Sequence, residues 1–316
     1  MTEELPAALA PDVAALLPRL RDLLEPPARD VGLDAARRRF AELLALGLAG
    51  GPDVPWTAAV IDTAGGELPA RVHRPRSGAG GATVVLLHGG GWTVGDTAAY
   101  DGLARRIADR AAAVVVSVEY RRAPEHPFPA AVDDAVAATR WAVAHAAELG
   151  GDPGRVAVAG DSGGGNLAAV VCQQLREDAA RPAAALLLYP NTARGGDAPS
   201  MREFGGLPFL PLTDMAWYTR QYVPRGVDLG DPRISPREGT LSGLPPTLVV
   251  TAELDALRDS GRDYAAALRA AGSPAEHLEA AGQPHGFAHL VALAPSAAAA
   301  LAQALDRFRD LLTAAR

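Results

Sequence analysis

The amino-acid sequence predicts an α/β fold with a mostly parallel central sheet, flanking helices and a helical cap. Three observations predict it. Short, wholly apolar runs recur at 83–87, 113–118 and 184–189, and strands without polar alternation are buried on both faces. Stretches of helical spacing separate these runs, as in a parallel sheet with crossover helices. One junction reads Val156-Ala157-Val158-Ala159-Gly160-Asp161-Ser162-Gly163-Gly164-Gly165-Asn166. It is a strand running through Gly-x-Ser-x-Gly into a helix.

The elements follow in order. Val13, Leu16, Leu17, Leu20, Leu23 and Leu24 recur at a helical period until Pro26-Pro27 stops them. Leu33, Phe40, Leu43, Leu44 and Leu48 mark a second amphipathic helix, ending at Gly50-Gly51. Helices that precede every strand are expected to stand outside the core, as part of a lid. Strands at 58–62 and 68–73 flank the turn Gly65-Gly66. The apolar strand 83–87 ends at His88, and helical spacing covers 97–110. Strand 113–118, helix 130–149 and strand 156–159 come next, with a helix starting close behind Ser162. Further strands are expected at 184–189, 247–251 and 277–279, with a helix at 262–271 and a terminal helix after Pro295.

Residues 191–236 break the rhythm. Phe204, Phe209, Trp217, Tyr218 and Tyr222 stand there among Gly and Pro residues. The expected organisation is therefore N-terminal cap helices in 1–50, a first core part in 51–190, a cap insertion in 191–236 and a second core part in 237–316. The cap aromatics either line a pocket or pack the cap.

Composition narrows the function. The chain has 316 residues, 48% hydrophobic and 21% charged, enough apolar residues for a sizeable core. Its net charge is −7, with no basic stripe for nucleic acid or anionic lipid. The lone Cys172 excludes an internal disulfide, and no Cys/His cluster has zinc spacing. The start, Met1-Thr2-Glu3-Glu4-Leu5, lacks the basic and apolar regions of a secretory signal. No run of about 18 strongly apolar residues suggests a membrane span. A cytoplasmic protein acting on a small molecule, without metal or organic cofactor, is expected.

The chemistry centres on Ser162. The strand–turn–helix context is what a nucleophile elbow requires. Tight turning leaves no room for side chains beside the serine, and the following helix N-terminus favours negative charge. A serine at its free pKa needs a base. Of the seven histidines, His285 sits in a loop between the last expected strand and the last helix. That is the position of the base in the chain order Ser, acid, His. The acid must hold the imidazole tautomer and stabilise the imidazolium. Glu253, Asp255 and Asp259 all follow strand 247–251. Spacing favours Asp255 and leaves the others open, with Asp259 suited to cap the next helix. A fourth element, His88-Gly89-Gly90-Gly91-Trp92, follows an apolar strand. Its glycines let backbone N–H groups approach a developing oxyanion. His88 is better placed to pin this loop than to act as base.

These segments together resemble the hormone-sensitive lipase-like family, the bacterial family IV esterases of the α/β-hydrolase fold. Beyond the segments above, the likeness rests on Tyr120-Arg121-Arg122-Ala123-Pro124-Glu125-His126-Pro127-Phe128-Pro129-Ala130-Ala131, Asp255-Ala256-Leu257-Arg258-Asp259 and His285-Gly286-Phe287. The resemblance implies a Ser162–Asp255–His285 triad, an oxyanion hole from the amides of Gly90, Gly91 and Gly163, and a preference for short or medium acyl esters. It implies a supporting role for 120–131, and a homodimer paired through the sheet edge would follow the same likeness. One departure stands out: the family usually places Ala where this chain has Gly163, which implies a looser elbow. The same residues suit a deacetylase or amidase of a specific metabolite, a lyase, or a non-catalytic binder. The intact triad weighs against the last.

Overall fold

A computed structural model describes residues 6, 8–76, 78, 81–193 and 198–314. The N-terminal pentapeptide read for a secretory signal, and residues 194–197 of the insertion, lie outside that set.

Four helices come first: α1 (Pro11–Ala14), α2 (Leu17–Leu24), α3 (Ala28–Val31) and α4 (Leu33–Gly47). A hairpin of β1 (Trp56–Thr63) and β2 (Gly66–His73) leads to β3 (Thr83–Leu87), α5 (Asp101–Arg110) and β4 (Val114–Val118). Then follow α6 (Ala130–Ala144), α7 (Ala146–Leu149), β5 (Val156–Asp161), α8 (Gly163–Gln174) and β6 (Ala185–Leu188). The insertion carries α9 (Pro199–Phe204) and α10 (Leu212–Tyr222). The chain closes with β7 (Thr247–Leu254), α11 (Arg258–Ala270), β8 (Ala275–Pro284) and α12 (Pro295–Ala314).

The strands form one sheet in the order β1-β2-β4-β3-β5-β6-β7-β8. β2 is antiparallel to both β1 and β4, and every later pairing is parallel. Side chains alternate across a strand, and here both faces are covered. Val84, Leu86, Ala157, Ala159, Leu186 and Leu248 point into one cluster, together with Ile107 of α5 and Phe308 of α12. Val85, Leu87, Val156, Val158, Leu187 and Val249 point into the other, with Leu167 of α8 and Leu268 of α11. Full burial of each Val or Leu side chain contributes about 1.5–3 kcal/mol. That explains why these strands carry no polar alternation.

Several elements differ from the sequence reading. The N-terminal helices were expected outside the core, yet Val13, Leu16, Leu20 and Leu44 join the first core cluster. The Ala10 amide donates to the Gly282 carbonyl, and Asp12 accepts from the Ser296 amide, so α1 is tied to the end of β8 and the start of α12. The helix expected from residue 97 begins at Asp101, because Asp96 Oδ1 accepts from the Ala99 amide and Glu119 from the Thr97 amide. The helix expected over 130–149 ends its first part at Ala144, and the His145 ring meets the Trp141 carbonyl. β8 is far longer than 277–279. As an edge strand it keeps many side chains half-exposed, so its apolar signal is weak.

Among the described residues, no helix is long and apolar enough to cross a membrane. Burial, the largest cause in each case, holds His73, His88 and His277 below the ordinary imidazole value. The unfolded chain takes up these protons as pH falls below about 6.5, while the fold resists them. Stability should therefore be greatest above that value and decline on acidification. A melting series should show Tm several degrees lower near pH 5 than near pH 7.5, before most carboxylates titrate. A flat Tm over this window would contradict the expectation.

Candidate active site

The site gathers at the carboxyl ends of the strands, where open parallel sheets bind ligands. β3 ends at Leu87, one residue before His88. β5 ends at Asp161, one before Ser162. β7 ends at Leu254, one before Asp255, and β8 ends at Pro284, one before His285. Four segments far apart in sequence thus deliver their polar residues to one edge.

Ser162 has φ 52° and ψ −117°, a conformation that costs an L-residue energy. The surroundings impose it. A methyl on Gly164 would lie 2.0 Å from the Leu87 carbonyl oxygen, and one on Gly160 would lie 2.3 Å from the Gly164 oxygen. The two flanking glycines of the motif are therefore required by close approach. The turn sets Ser162 at the mouth of α8, whose first residue is Gly163.

His285 Nε2 stands 3.0 Å from Ser162 Oγ, and His285 Nδ1 stands 2.8 Å from Asp255 Oδ2. Asp255 is buried, and its other oxygen accepts from the Leu257 amide at 2.8 Å. The remaining two candidate acids are engaged elsewhere. Glu253 accepts from the Gly282 amide at 2.7 Å. Asp259 accepts from the Ser200 amide at 2.8 Å, so it serves the start of α9 rather than its own helix, which has no side-chain cap. The structure brings Ser162, His285 and Asp255 together and leaves Glu253 and Asp259 out.

Gly90, Gly91 and Gly163 lie at the same mouth. A methyl on Gly163 would be 3.3 Å from Gly91 N and from Trp92 N, so this backbone runs against the start of α8. His88 does pin the loop: its Nδ1 is 2.9 Å from the Gly89 carbonyl, and its ring stacks on Tyr120 at 4.2 Å. Tyr120 donates to the His88 carbonyl at 2.7 Å. Glu125 of the same segment is exposed and pairs with Arg37 of α4, which holds its carboxyl down at about 2. His126 is exposed as well.

Sequence reasoning missed a second polar cluster beneath the elbow. Asp161 is fully buried; its Oδ1 accepts from the Gly89 amide at 2.8 Å. Its Oδ2 accepts from Tyr100 at 3.2 Å and lies 3.0 Å from His289 Nε2. The edge of the His289 ring meets Phe40 of α4 at 5.7 Å. A signal existed. Ser162 faces out of the turn, so the preceding Asp161 must face in, and a buried carboxylate needs donors.

A cavity of about 150 Å³ opens over Ser162 and His285. Leu20, Leu23, Leu24, Phe40 and Leu43 of the N-terminal helices line it, as do Phe209, Met215 and Tyr218 of the insertion. The cap aromatics divide. Phe209 and Tyr218 line the cavity, whereas Phe204, Trp217 and Tyr222 are buried, the last stacked on Trp92 at 4.4 Å. Cys172 is buried away from this cavity, and burial pushes its thiol up to about 12.

The comparisons with known proteins agree with this architecture. A family model described as an alpha/beta hydrolase fold matches residues 84–289. The chain is 45% identical over 256 residues to the carboxylic ester hydrolase LipN of Mycobacterium tuberculosis, covering 78% of this chain and 68% of that protein. It is 35% identical to an ethyl acetate hydrolase of Pseudomonas putida, over 96% of this chain and 100% of that one. Among solved structures, the thermostable carboxylesterase EstE1 from a metagenomic library superposes with TM-score 0.85 at 40% identity, covering 90% and 99% of the two chains. An esterase of Pyrobaculum calidifontis superposes with TM-score 0.88 at 36% identity, covering 97% and 100%. The chain belongs to the hormone-sensitive lipase-like esterases of the α/β-hydrolase fold and is a serine carboxylic ester hydrolase.

Proposed function

We propose that the chain hydrolyses esters of short to medium acyl chains through Ser162, His285 and Asp255, by way of an acyl-enzyme. The observation that carries this reading is the pair of hydrogen-bond distances, 3.0 Å and 2.8 Å, that joins the three side chains. His285 Nε2 takes the Ser162 proton as Oγ bonds to the ester carbonyl carbon. The Asp255 carboxylate holds the Nδ1 proton and stabilises the imidazolium. Negative charge on the carbonyl oxygen is received by the amides of Gly90, Gly91 and Gly163. The Gly163 amide is one of the first in α8, where N–H groups lack helical partners and the dipole favours an anion. The bond to the alcohol oxygen then breaks, and His285 protonates the departing alcohol. Water gives a proton to His285 and its hydroxide attacks the acyl carbon. Oγ leaves and regains the proton.

The cap reading follows from packing. Residues of 1–50 and 191–236 supply the outer wall of the cavity. A cavity of about 150 Å³ lined by apolar side chains accommodates a group the size of benzene. That supports acyl chains of up to about six to eight carbons. One relative carries the name ethyl acetate hydrolase, a short-acyl ester.

A series of p-nitrophenyl alkylphosphonates tests residue and chain length together. Peptide mapping should find the adduct on Ser162, and labelling should slow once the alkyl chain exceeds about eight carbons. An adduct elsewhere, or none, removes the mechanism. Fastest labelling by long chains removes the acyl preference.

A further inference from the structure

One part of the cavity wall differs from the rest. Arg39 and Asp214 stand there among aliphatic and aromatic side chains. Arg39 lies on α4 between Ala36 and Leu43, which share its face and also line the cavity. Its Nη1 donates to the Pro26 carbonyl at 2.7 Å. Its Nε and Nη2 are buried and have no acceptor among the described residues.

Asp214, on α10, is half-buried and accepts from the Ala28 amide at 2.9 Å. Burial pushes its carboxyl above the ordinary value, with Arg39 among the groups that oppose the shift. One turn further along α10, Tyr218 covers the oxyanion loop: a methyl on Gly91 would lie 2.5 Å from Tyr218 Cγ. The charged part of the wall therefore belongs to the same cavity as the reacting centre.

Buried donors without acceptors are costly, and more so when the group is charged. Nε and Nη2 form one edge of the planar guanidinium, the edge that gives two parallel bonds to an oxygen ligand. The cavity is the side from which such an oxygen can be supplied. We propose that Arg39 makes this wall a subsite for an oxygen acceptor, and that the preferred substrates are esters whose acyl chain carries a neutral carbonyl toward its far end. The proposal rests on the esterase reading above. Asp214 decides between a carbonyl and a carboxylate. A second anion beside it meets like-charge repulsion in a place where burial already disfavours charge. A carbonyl accepts the Arg39 bonds and adds no charge.

The test compares p-nitrophenyl hexanoate with p-nitrophenyl 5-oxohexanoate, each divided by its hydroxide-catalysed rate. The unaltered protein should favour the oxo ester in kcat/KM by roughly ten-fold. In Arg39→Met that preference should fall to about unity. Arg39→Lys keeps the charge and loses the fork, so it should keep only part of the preference. Both esters are measured on the same variant, so a general loss of activity leaves the ratio unmoved, and phosphonate titration counts the folded sites. If Arg39→Met does not fold, Arg39→Lys carries the decision. An equal preference in the variant and the unaltered protein overturns the proposal. A preference for the anionic p-nitrophenyl hydrogen adipate over both neutral esters overturns the choice of a neutral carbonyl. Hydrolysis of none of these esters by the unaltered protein is a separate result, and it strikes the esterase reading itself.

Discussion

Ser162→Ala is expected to lower kcat for ester hydrolysis by about five to six orders of magnitude. The substitution removes Oγ, the atom 3.0 Å from His285 Nε2, and changes little else. The elbow is held by backbone contacts around Gly160 and Gly164, so the variant should fold and keep its melting temperature. His285→Ala should lose a similar amount, and the double variant should be little worse than either. Groups that act as one unit are not additive, because each is useless without its partner. Burst kinetics would check this, together with loss of the phosphonate adduct. Retention of most activity by Ser162→Ala would show that another group attacks the ester.

Asp255→Asn is the second large effect, a fall of about four orders in kcat near neutral pH. The change is isosteric, and the Leu257 amide still finds an oxygen. What fails is the tautomer. An asparagine that presents its NH₂ to Nδ1 leaves the proton on Nε2, where the ring cannot take one from Ser162. Glu253→Gln and Asp259→Asn serve as comparisons. Their carboxylates accept from the Gly282 and Ser200 amides, so these changes should cost stability rather than turnover. Steady-state rates and melting curves on all three variants separate the outcomes. An Asp255→Asn enzyme within ten-fold of the parent would move the acid's role to another residue.

Much of this site was legible because acyl transfer demands particular residue types in particular settings. A nucleophilic serine needs a sharp turn, and Gly160 and Gly164 mark it. A base needs a loop beyond the last strand, and His285 has one. Spacing alone left Asp255 alongside Glu253 and Asp259, since three carboxylates within a few residues of a strand end look alike. Their hydrogen-bond partners separate them, and those partners come from distant segments. His289 and Tyr100 were invisible for a similar reason: a single buried histidine has no periodicity to betray it. The N-terminal helices were read as a lid because they precede every strand. Val13 and Leu20 are nevertheless buried core residues, and nothing local distinguishes an apolar stripe facing a sheet from one facing a pocket. β8 was underestimated because an edge strand carries Glu276, His277 and Glu279 where a central strand carries valines.

The contact between Phe40 and His289 ties together two properties that are often assumed to evolve separately. Phe40 helps to set the size of the cavity, and His289 meets Asp161, which holds the Gly89 amide of the oxyanion loop. A change at Phe40 that makes room for a bulkier acyl group also withdraws the ring against which His289 rests. Selection for a new substrate at that position therefore acts on rate and specificity at once. Leu23 and Met215 line the same cavity without touching that chain of contacts. A lineage or a directed-evolution campaign that widens the pocket should accumulate its early substitutions there and reach Phe40 last.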